Sequence, residues 1–475
     1  MTVLIAGAGP TGLTLACELA RRGVTCRVLD KAPGLFPGSR GKGLSPRTQE
    51  VFDDLGVADA IQAGGMAMPS FRIYAGQEIV GERTLAEMVG SDGPSGPGVP
   101  YPSFWMVPQW RTDEILLHRL SELGGDVEFD CEVTGFEQDT EGVTVTALRG
   151  GAPERIRASY LVGTDGGRSI VRKTLTVGFA GETFESERTL IGDVRADGLD
   201  GTFCHVLTRG GQVSKRFSLW NLPSSDHYQF VASMATDDVP PLTLEAVQGL
   251  LDERSGRNDI VLHDLRWISL YRVNARMVDR FRVGRVFLAG DAAHVHSSAG
   301  GQGLNTSVQD AYNLGWKLAA AISGASDELL DTYEEERMPV AASVLGLSTD
   351  MHRRNFGPSN DPAPQLHQLD IAYRGSSLAV DDRSSPGKLR AGDRAPDAGL
   401  QDGRRLFEVL RGTHFTLLTF GDRAVNIAGV RRQRLAPSPD YDVSEATLAL
   451  VRPDGYIGAI TESEESVRQY LARVR

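Results

Sequence analysis

Cysteine is scarce. Cys17, Cys26, Cys131 and Cys204 are the four in 475 residues, far apart, with no CxxC and no His/Cys cluster at zinc-ligand spacing. That argues against a disulfide framework and a structural zinc site, and a chain of this length needs neither for stability. Long hydrophobic runs are missing too: the opening MTVLIAGAG has no basic segment, and glycines interrupt its apolar run too early for a signal peptide or a membrane span. Positive charge is in deficit, with 50 Lys and Arg against 62 Asp and Glu, a net charge of −12, and no Lys/Arg run long enough to track phosphates. Nucleic acid and membrane are therefore not expected partners. A reducing cytoplasm is the expected location.

What the chain has is length and glycine. Its 475 residues exceed one ordinary core and predict two or three domains. Its 54 glycines, roughly 11% against a usual ~7%, fall in clusters rather than in linkers. An apolar run at 2–6, a glycine turn, an apolar-periodic stretch at 13–19, a helix stop at Gly23 and a second run at 26–29 read as a βαβ start. Strand-like runs at 160–163 and 285–289 lead into TDGGRS and GDAAHVHSSAGGQG, with alternating stretches such as 229–232 and 264–270 between them. These features predict one nucleotide-binding domain assembled from 1–70, 104–177 and 275–350. A mostly antiparallel substrate domain comes from 71–103 and 178–274, a linker from 351–391 and a small α/β unit from 392–475. In that last unit Thr461 and Glu464 have the spacing of a capping box.

Gly7-x-Gly9-x-x-Gly12 lies between the first strand and helix, with Asp30 ending the next strand, 18 residues after Gly12. Gly7 suits a tight turn, Gly9 a backbone approached by a pyrophosphate, Gly12 close helix packing, and Asp30 a ribose hydroxyl. Pro10 and Lys31 flank these positions as further cofactor candidates. The motif predicts a dinucleotide without separating FAD from NAD. The third segment separates them: Leu304, Val308, Ala311, Gly315 and Leu318 recur at helical spacing, so the turn with Gly301 and Gly303 opens a helix, with Leu304 and Asn305 in its first turn. Free amides there stabilise negative charge, which a reduced flavin carries and a nicotinamide does not. Asp291 follows a buried strand and is placed to hold a hydroxylated chain.

GAGPTGLTLA at 7–16, SRGKGLSPRTQEVF at 39–52, LVGTDGGRSIVRK at 161–173 and GRVFLAGDAAHVHSSAGGQGLNTSVQDAYNLGWKL at 284–318 together resemble the flavoprotein aromatic hydroxylases, single-component FAD monooxygenases of the p-hydroxybenzoate hydroxylase type. The resemblance covers the chain to about residue 350. It is strongest with the branch acting on aromatic polyketides and rifamycin-like antibiotics, which adds a C-terminal thioredoxin-like domain. It implies an α/β protein: a Rossmann-like FAD-binding domain, an inserted mostly antiparallel substrate domain and a thioredoxin-like domain, here without any Cys. It also implies that Arg40, the candidate catalytic residue, approaches the FAD pyrophosphate and takes part in flavin movement. Gln109 would touch the cofactor, Asp165 serve FAD and NADPH together, and Asp291 hold the ribityl chain. Ser297-Ser298 stands where many relatives have Pro-Pro.

The expected activity is that of a monooxygenase in which NADPH or NADH, bound transiently, reduces FAD, and a flavin C4a-hydroperoxide hydroxylates a phenolic polycyclic substrate. Partners are then an aromatic small molecule and O₂, with the protein a monomer or homodimer. Baeyer–Villiger insertion, or oxygenation of an antibiotic or smaller phenol, is the alternative on the same scaffold. His294 and His296 have a metal-like spacing without a third ligand, so they are read as structural, with no metal. Arg168, Arg172 and Lys173 read equally as NADPH contacts or as a solvated face, and Arg47 as a partner of Glu50. Trp220, Tyr228, Phe230, Trp267 and Tyr271 read as pocket or core. Arg266, Arg272, Arg276 and His263 are unranked candidates for polarising a phenol.

Overall fold

The apolar run at the N-terminus forms strand Val3–Ala6, buried at every position. It pairs in parallel with Tyr160–Gly163 on one side and Cys26–Leu29 on the other. Val286–Leu288 continues the sheet beyond Tyr160–Gly163, and Val127–Glu128 beyond Cys26–Leu29, again in parallel. This computed structural model describes residues 2–475 apart from 90–92, 94, 213–214, 236–239, 298, 354–363, 423 and 437. Because neighbouring strands run the same way, segments as distant in the chain as 3–6 and 286–288 deliver their following turns to one edge of the sheet. Gly7, Asp30, Asp165 and Asp291 all follow the carboxyl ends of these strands, where open α/β sheets bind ligands. Helix Pro10–Ala20 and helix Gln302–Ile322 pack side by side on this sheet.

A second sheet holds the substrate-side insertions together. Strands Phe179–Asp197 and Val261–Val278 pair antiparallel over most of their length, with register shifts after Thr183 and Asp193 that bend the ribbon. His227–Ala235, Phe217–Asn221 and Cys204–Thr208 follow, and Phe71–Ala75 joins the last in parallel. Strands from residues 71–83 and 179–278 thus share one sheet. Alternation along His227–Ala235 divides its faces: Tyr228, Phe230 and Ala232 enter the core with Val247 and Leu251, whereas Gln229, Val231 and Ser233 line a cavity. Strand His294–Val295 pairs with Arg276 and Met277 and stitches this sheet to the third glycine segment.

One titratable group ties the insertion to the sheet. His205 is 0% exposed; its Nε2 lies 3.0 Å from the Asp200 carbonyl and its Nδ1 accepts from Tyr74 Oη at 3.1 Å. Burial lowers its pKa to about 4. A histidine depressed on folding takes up a proton in the unfolded state first, so stability rises with pH from about 4 to the unfolded value near 6.5. Wild-type protein should therefore lose about 2 kcal/mol more than His205→Gln between pH 7 and pH 4.5. Denaturant unfolding at the two pH values tests this, and equal losses would contradict it.

The C-terminal sheet runs Val380–Asp381, Ile457–Thr461, Leu448–Val451, Thr416–Thr419, Arg431–Arg434. Two expectations change here. Residues 351–391 are not simply a linker, because Val380–Asp381 pairs in parallel with Ala459 and Ile460 and Leu378 enters the core of this unit. The final helix, Glu464–Arg473, is capped by Ser463, whose Oγ accepts from the Ser466 amide. Thr461 ends the preceding strand, and its Oγ1 accepts from Ser463 N, so the cap lies two residues further on and the expected reciprocal box is replaced by a single side-chain cap.

Candidate flavin site

A continuous cavity of about 3270 Å³ lies between the parallel sheet edge and the antiparallel sheet. Gly7, Gly9, Pro10, Asp30, Lys31, Arg40, Gln109, Asp165, Asp291, Gly301, Gly303 and Leu304 all border it. Gly12 and Asn305 do not, for different reasons. A Cβ on Gly12 would lie 2.0 Å from the Gly7 carbonyl oxygen, so Gly12 serves the helix–strand contact behind the turn. Asn305 is 1% exposed, donates to the Gly43 and Gly301 carbonyls and accepts from the Ser45 amide at 2.8 Å. Its side chain locks the 43–45 loop to the helix start, so the expected direct cofactor contact is not what this side chain makes.

The glycines differ in purpose. Gly7 has φ +108° and a Cβ there would strike the Thr164 carbonyl at 2.5 Å, so the turn requires glycine twice over. At Gly9, Gly301 and Gly303 a Cβ would meet nothing within 4 Å. These three face open space at the cavity wall, beside two helix starts, Pro10–Ala20 and Gln302–Ile322, that have neither a side-chain cap nor an acidic first-turn residue. First-turn amides therefore have no partner in their own helices. Gly38 and Gly41, on either side of Arg40, sit in close contact: a Cβ on Gly38 would enter the Trp267 ring at 2.2 Å, and one on Gly41 would meet Leu304 at 2.9 Å.

The acids are set by burial and backbone. Asp30 accepts from Ala8 N at 2.7 Å and Ala32 N at 2.8 Å, which aims its carboxylate between the first turn and the cavity. Asp165 Oδ2 accepts from Ile170 N at 2.6 Å, while Oδ1 is buried without a partner. Burial raises the pKa of Asp165 against the pull of Ser169 and the helix amides. Asp291 is exposed only to the cavity; enclosure raises its pKa, with His294 and Arg40 opposing. Arg40 stacks its guanidinium 4.7 Å over the Phe36 ring. Gln109 accepts from Gly41 N at 3.2 Å and donates to Asp113, a buried acid whose pKa burial raises.

His294 and His296 carry a hydrogen-bonded chain. Arg337 Nε donates to Asp310 Oδ1 at 2.8 Å, Asp310 Oδ2 meets His294 Nε2 at 2.6 Å, and His294 Nδ1 meets His296 Nε2 at 2.8 Å. Asp310 is held ionised: burial pushes its carboxyl up, but His294 and Arg337 outweigh it. Three His, Cys, Asp or Glu groups that could hold a metal ion occur nowhere among the described residues. Arg172 donates to the Ala292 and Gly167 carbonyls and stacks on Phe179, so it braces the third glycine segment, while Arg168 and Lys173 border the cavity. Ser297 borders it too, and Ser298 lies outside the described residues.

On the opposite wall Trp220, Tyr271, Arg272 and Arg276 border the cavity. Tyr228 and Phe230 are core, Trp267 packs against Gly38 and Phe36, and Arg266 lies over Trp110. His263 is 3.8 Å from Asp197, away from the cavity lining. Sequence reading missed Lys42. Its Nζ donates to Gln229 Oε1 at 2.5 Å and lies 4.1 Å from the Trp220 ring centre.

Open glycines beside two uncapped helix starts, an orphaned buried carboxylate oxygen and an acid at the end of the second strand fit a dinucleotide flavin, and the fold with this site defines a flavoprotein oxidoreductase. Comparison with known proteins agrees. Residues 1–348 match the family described as FAD binding domain, and residues 388–474 the one described as aromatic-ring hydroxylase, C-terminal. The chain is 78% identical over 474 residues to a flavin-dependent monooxygenase of Mycobacteroides abscessus, covering 100% of both. It is 36% identical to a 12-dehydrotetracycline 5-monooxygenase/anhydrotetracycline 6-monooxygenase of Streptomyces rimosus, over 96% of this chain and 94% of that one. The crystal structure of aklavinone-11 hydroxylase with FAD and aklavinone superimposes with a TM-score of 0.83 at 28% identity, covering 100% and 98%. This chain belongs to the FAD-dependent aromatic-ring hydroxylases and is a flavin-dependent monooxygenase. No described helix is long and apolar enough to cross a membrane.

Proposed function

We propose that the protein uses NADPH or NADH and O₂ to hydroxylate a phenolic, polycyclic aromatic compound of the polyketide or antibiotic type. The observation carrying this reading is that one cavity joins the cofactor-fitting edge to a wall of Phe71, Trp220, Met68 and Tyr271. The similarity to enzymes named for tetracycline and aklavinone supports the same substrate class. In this reading the first-turn amides after Gly9 and Pro10 take the pyrophosphate, Asp30 and Lys31 the adenosine side, and Asp291 the ribityl hydroxyls. The amides of Gly303 and Leu304 take the negative edge of the ring system, and Gln109 and Arg40 its remaining border. Bound FAD supplies hydride acceptance and oxygen activation; the chain excludes water and orients the ring to be attacked. A panel of polycyclic phenols should stimulate NADPH oxidation and yield products heavier by one oxygen. Absence of any such product would refute the proposal.

Arg40 gives a kinetic test. Its loop is tied to Gln109 through Gly41 and reaches the substrate wall through Lys42. Substrate bound at that wall should therefore speed reduction by NADPH at least about tenfold, equivalent to ~1.4 kcal/mol of barrier. Arg40→Ala should lose most of this acceleration while still binding FAD. Stopped-flow rates that are equal with and without a hydroxylated substrate would show the loop to be only a clamp.

A further inference from the structure

Behind the substrate wall lies a buried polar cluster drawn from four distant segments. Gln229 joins two parts of the Arg40 loop: its Nε2 donates to the Ser39 carbonyl and its Oε1 accepts from Lys42 Nζ. Asp193, on strand Phe179–Asp197, is 0% exposed, and neither of its oxygens has a hydrogen-bond partner. Ser39 Oγ and Trp267 Nε1 lie beside it and are likewise without partners. Lys42 and Gln229 are the members of this cluster that border the cavity, and Lys42 carries the charge. Among the described residues its polar partner is the Gln229 amide, and no carboxylate forms an ion pair with it.

The surroundings of the ammonium are apolar. Trp220 lies under Nζ, Phe71 packs edge-on against Trp220 at 4.9 Å, and Met68, Met88 and Leu85 complete this end of the cavity. A cation held by one neutral amide and one aromatic face keeps capacity for an anion, and an apolar compartment makes that attraction stronger than in water. Lys42 also stands two residues from Arg40, on the loop fastened to the flavin-side wall by Gln109 and Asn305. A ring oxygen bound by Nζ is thereby placed at the junction of the two halves of the cavity.

Resting on the hydroxylase reading above, we propose that Lys42 is the catalytic residue that binds the phenolic oxygen of the substrate as its phenolate, with Gln229 as the positioning residue that aims Nζ. The proton balance is simple. The phenolic O–H bond breaks, its proton joins the amine form of Nζ, and the resulting ammonium pairs with the phenolate. A phenolate is the more electron-rich ring and the better acceptor of an electrophilic oxygen, so the pairing serves the reaction and not only affinity. Nζ is suited to both forms, because burial lowers its pKa to about 8, with Cys204 and Asp193 opposing. Burial also lifts Asp193 to about 6, while Trp267, Ser39, Lys42 and Arg266 oppose it.

The probe is alizarin, a hydroxyanthraquinone whose visible band moves to longer wavelength on ionisation. Titrated from pH 5 to 9 on FAD-loaded protein, its phenol should ionise at least about one pH unit lower on the wild type than in free solution. Lys42→Met and Lys42→Gln should return ionisation to the free value or above at unchanged FAD content. Lys42→Arg should retain the lowering, because it restores the charge. A shift that survives in both neutral variants, or a wild type that neither binds alizarin nor moves its ionisation, overturns the assignment. The same preparations assayed for hydroxylated products separate this outcome from the parent reading. Product formed without a Lys42-dependent shift removes Lys42 alone, whereas a Lys42-dependent shift with no product from any phenol keeps the binding site and removes the hydroxylase.

Discussion

Protein carrying Gly12→Ala is expected to emerge colourless, with its affinity for FAD reduced at least about 100-fold, or ~2.7 kcal/mol. The added methyl would sit 2.0 Å from the Gly7 carbonyl oxygen and 2.8 Å from Thr164 Oγ1. Both belong to the turn itself, since Thr164 Oγ1 donates to the Gly7 carbonyl at 2.9 Å, so no flexible side chain is there to yield. Helix Pro10–Ala20 must move off the strand and carry its first-turn amides out of place. Gly9→Ala is the informative contrast. Its methyl meets no protein atom within 4 Å, so the melting temperature of the flavin-free protein should be kept while FAD binding weakens. Flavin absorbance after desalting and melts of the flavin-free proteins read the two effects separately. Full FAD retention by Gly12→Ala would contradict the placement of the cofactor.

Glu336→Ala should cost about 3–5 kcal/mol of stability and loosen the C-terminal unit. Glu336 is 2% exposed and accepts from Arg452 at 2.6 and 2.9 Å, Lys317 at 2.7 Å, Asn313 at 2.8 Å and Ser376 at 2.8 Å. Burial pushes its carboxyl up, but Arg452 and Lys317 outweigh it and hold it below the usual carboxylate range. Without the carboxylate, Lys317 is left buried among neutral partners, and Arg452 keeps only Asp454 of its two acids. The turn at 452–455 is one docking point: Trp316 donates to Asp454 and Arg47 to the Asp454 carbonyl, while Arg47 also pairs with Glu50 as expected. Denaturant unfolding and limited proteolysis of 392–475 check this, with the exposed Arg155–Glu137 pair as a control whose removal should change neither. A loss under about 1 kcal/mol would show that the ion cluster does not carry the docking.

The cofactor half was legible because its constraints are local. Gly7 needs its backbone angle, Gly12 its close contact, and strands at 3–6, 160–163 and 286–288 are buried on both faces and so read as continuous apolar runs. Asp30, Asp165 and Asp291 each follow such a run, and parallel pairing then brings them to one edge. The substrate half was opaque because its groups meet only through tertiary pairing. Lys42 and Gln229 are 187 residues apart, and nothing near either one marks the other. Tyr228 and Gln229 look equally placed in the chain, and only the register of the sheet sends one to the core and the other to the cavity. Asn305 and Arg172 carry polar groups suited to ligands, yet backbone carbonyls from other segments engage them. The strand Val380–Asp381 was hidden for the same reason: two residues among turn signals pair only because Ile457–Thr461 offers an edge.

The central claim is that this cavity transfers one atom of molecular oxygen to an aromatic ring. The most direct measurement is product mass from FAD-loaded protein, NADPH and a panel of polycyclic phenols under ¹⁸O₂ in unlabelled water. Hydroxylated product carrying a single ¹⁸O atom is the expected result. NADPH consumption that yields only hydrogen peroxide with every phenol, or product oxygen drawn from water, would contradict it.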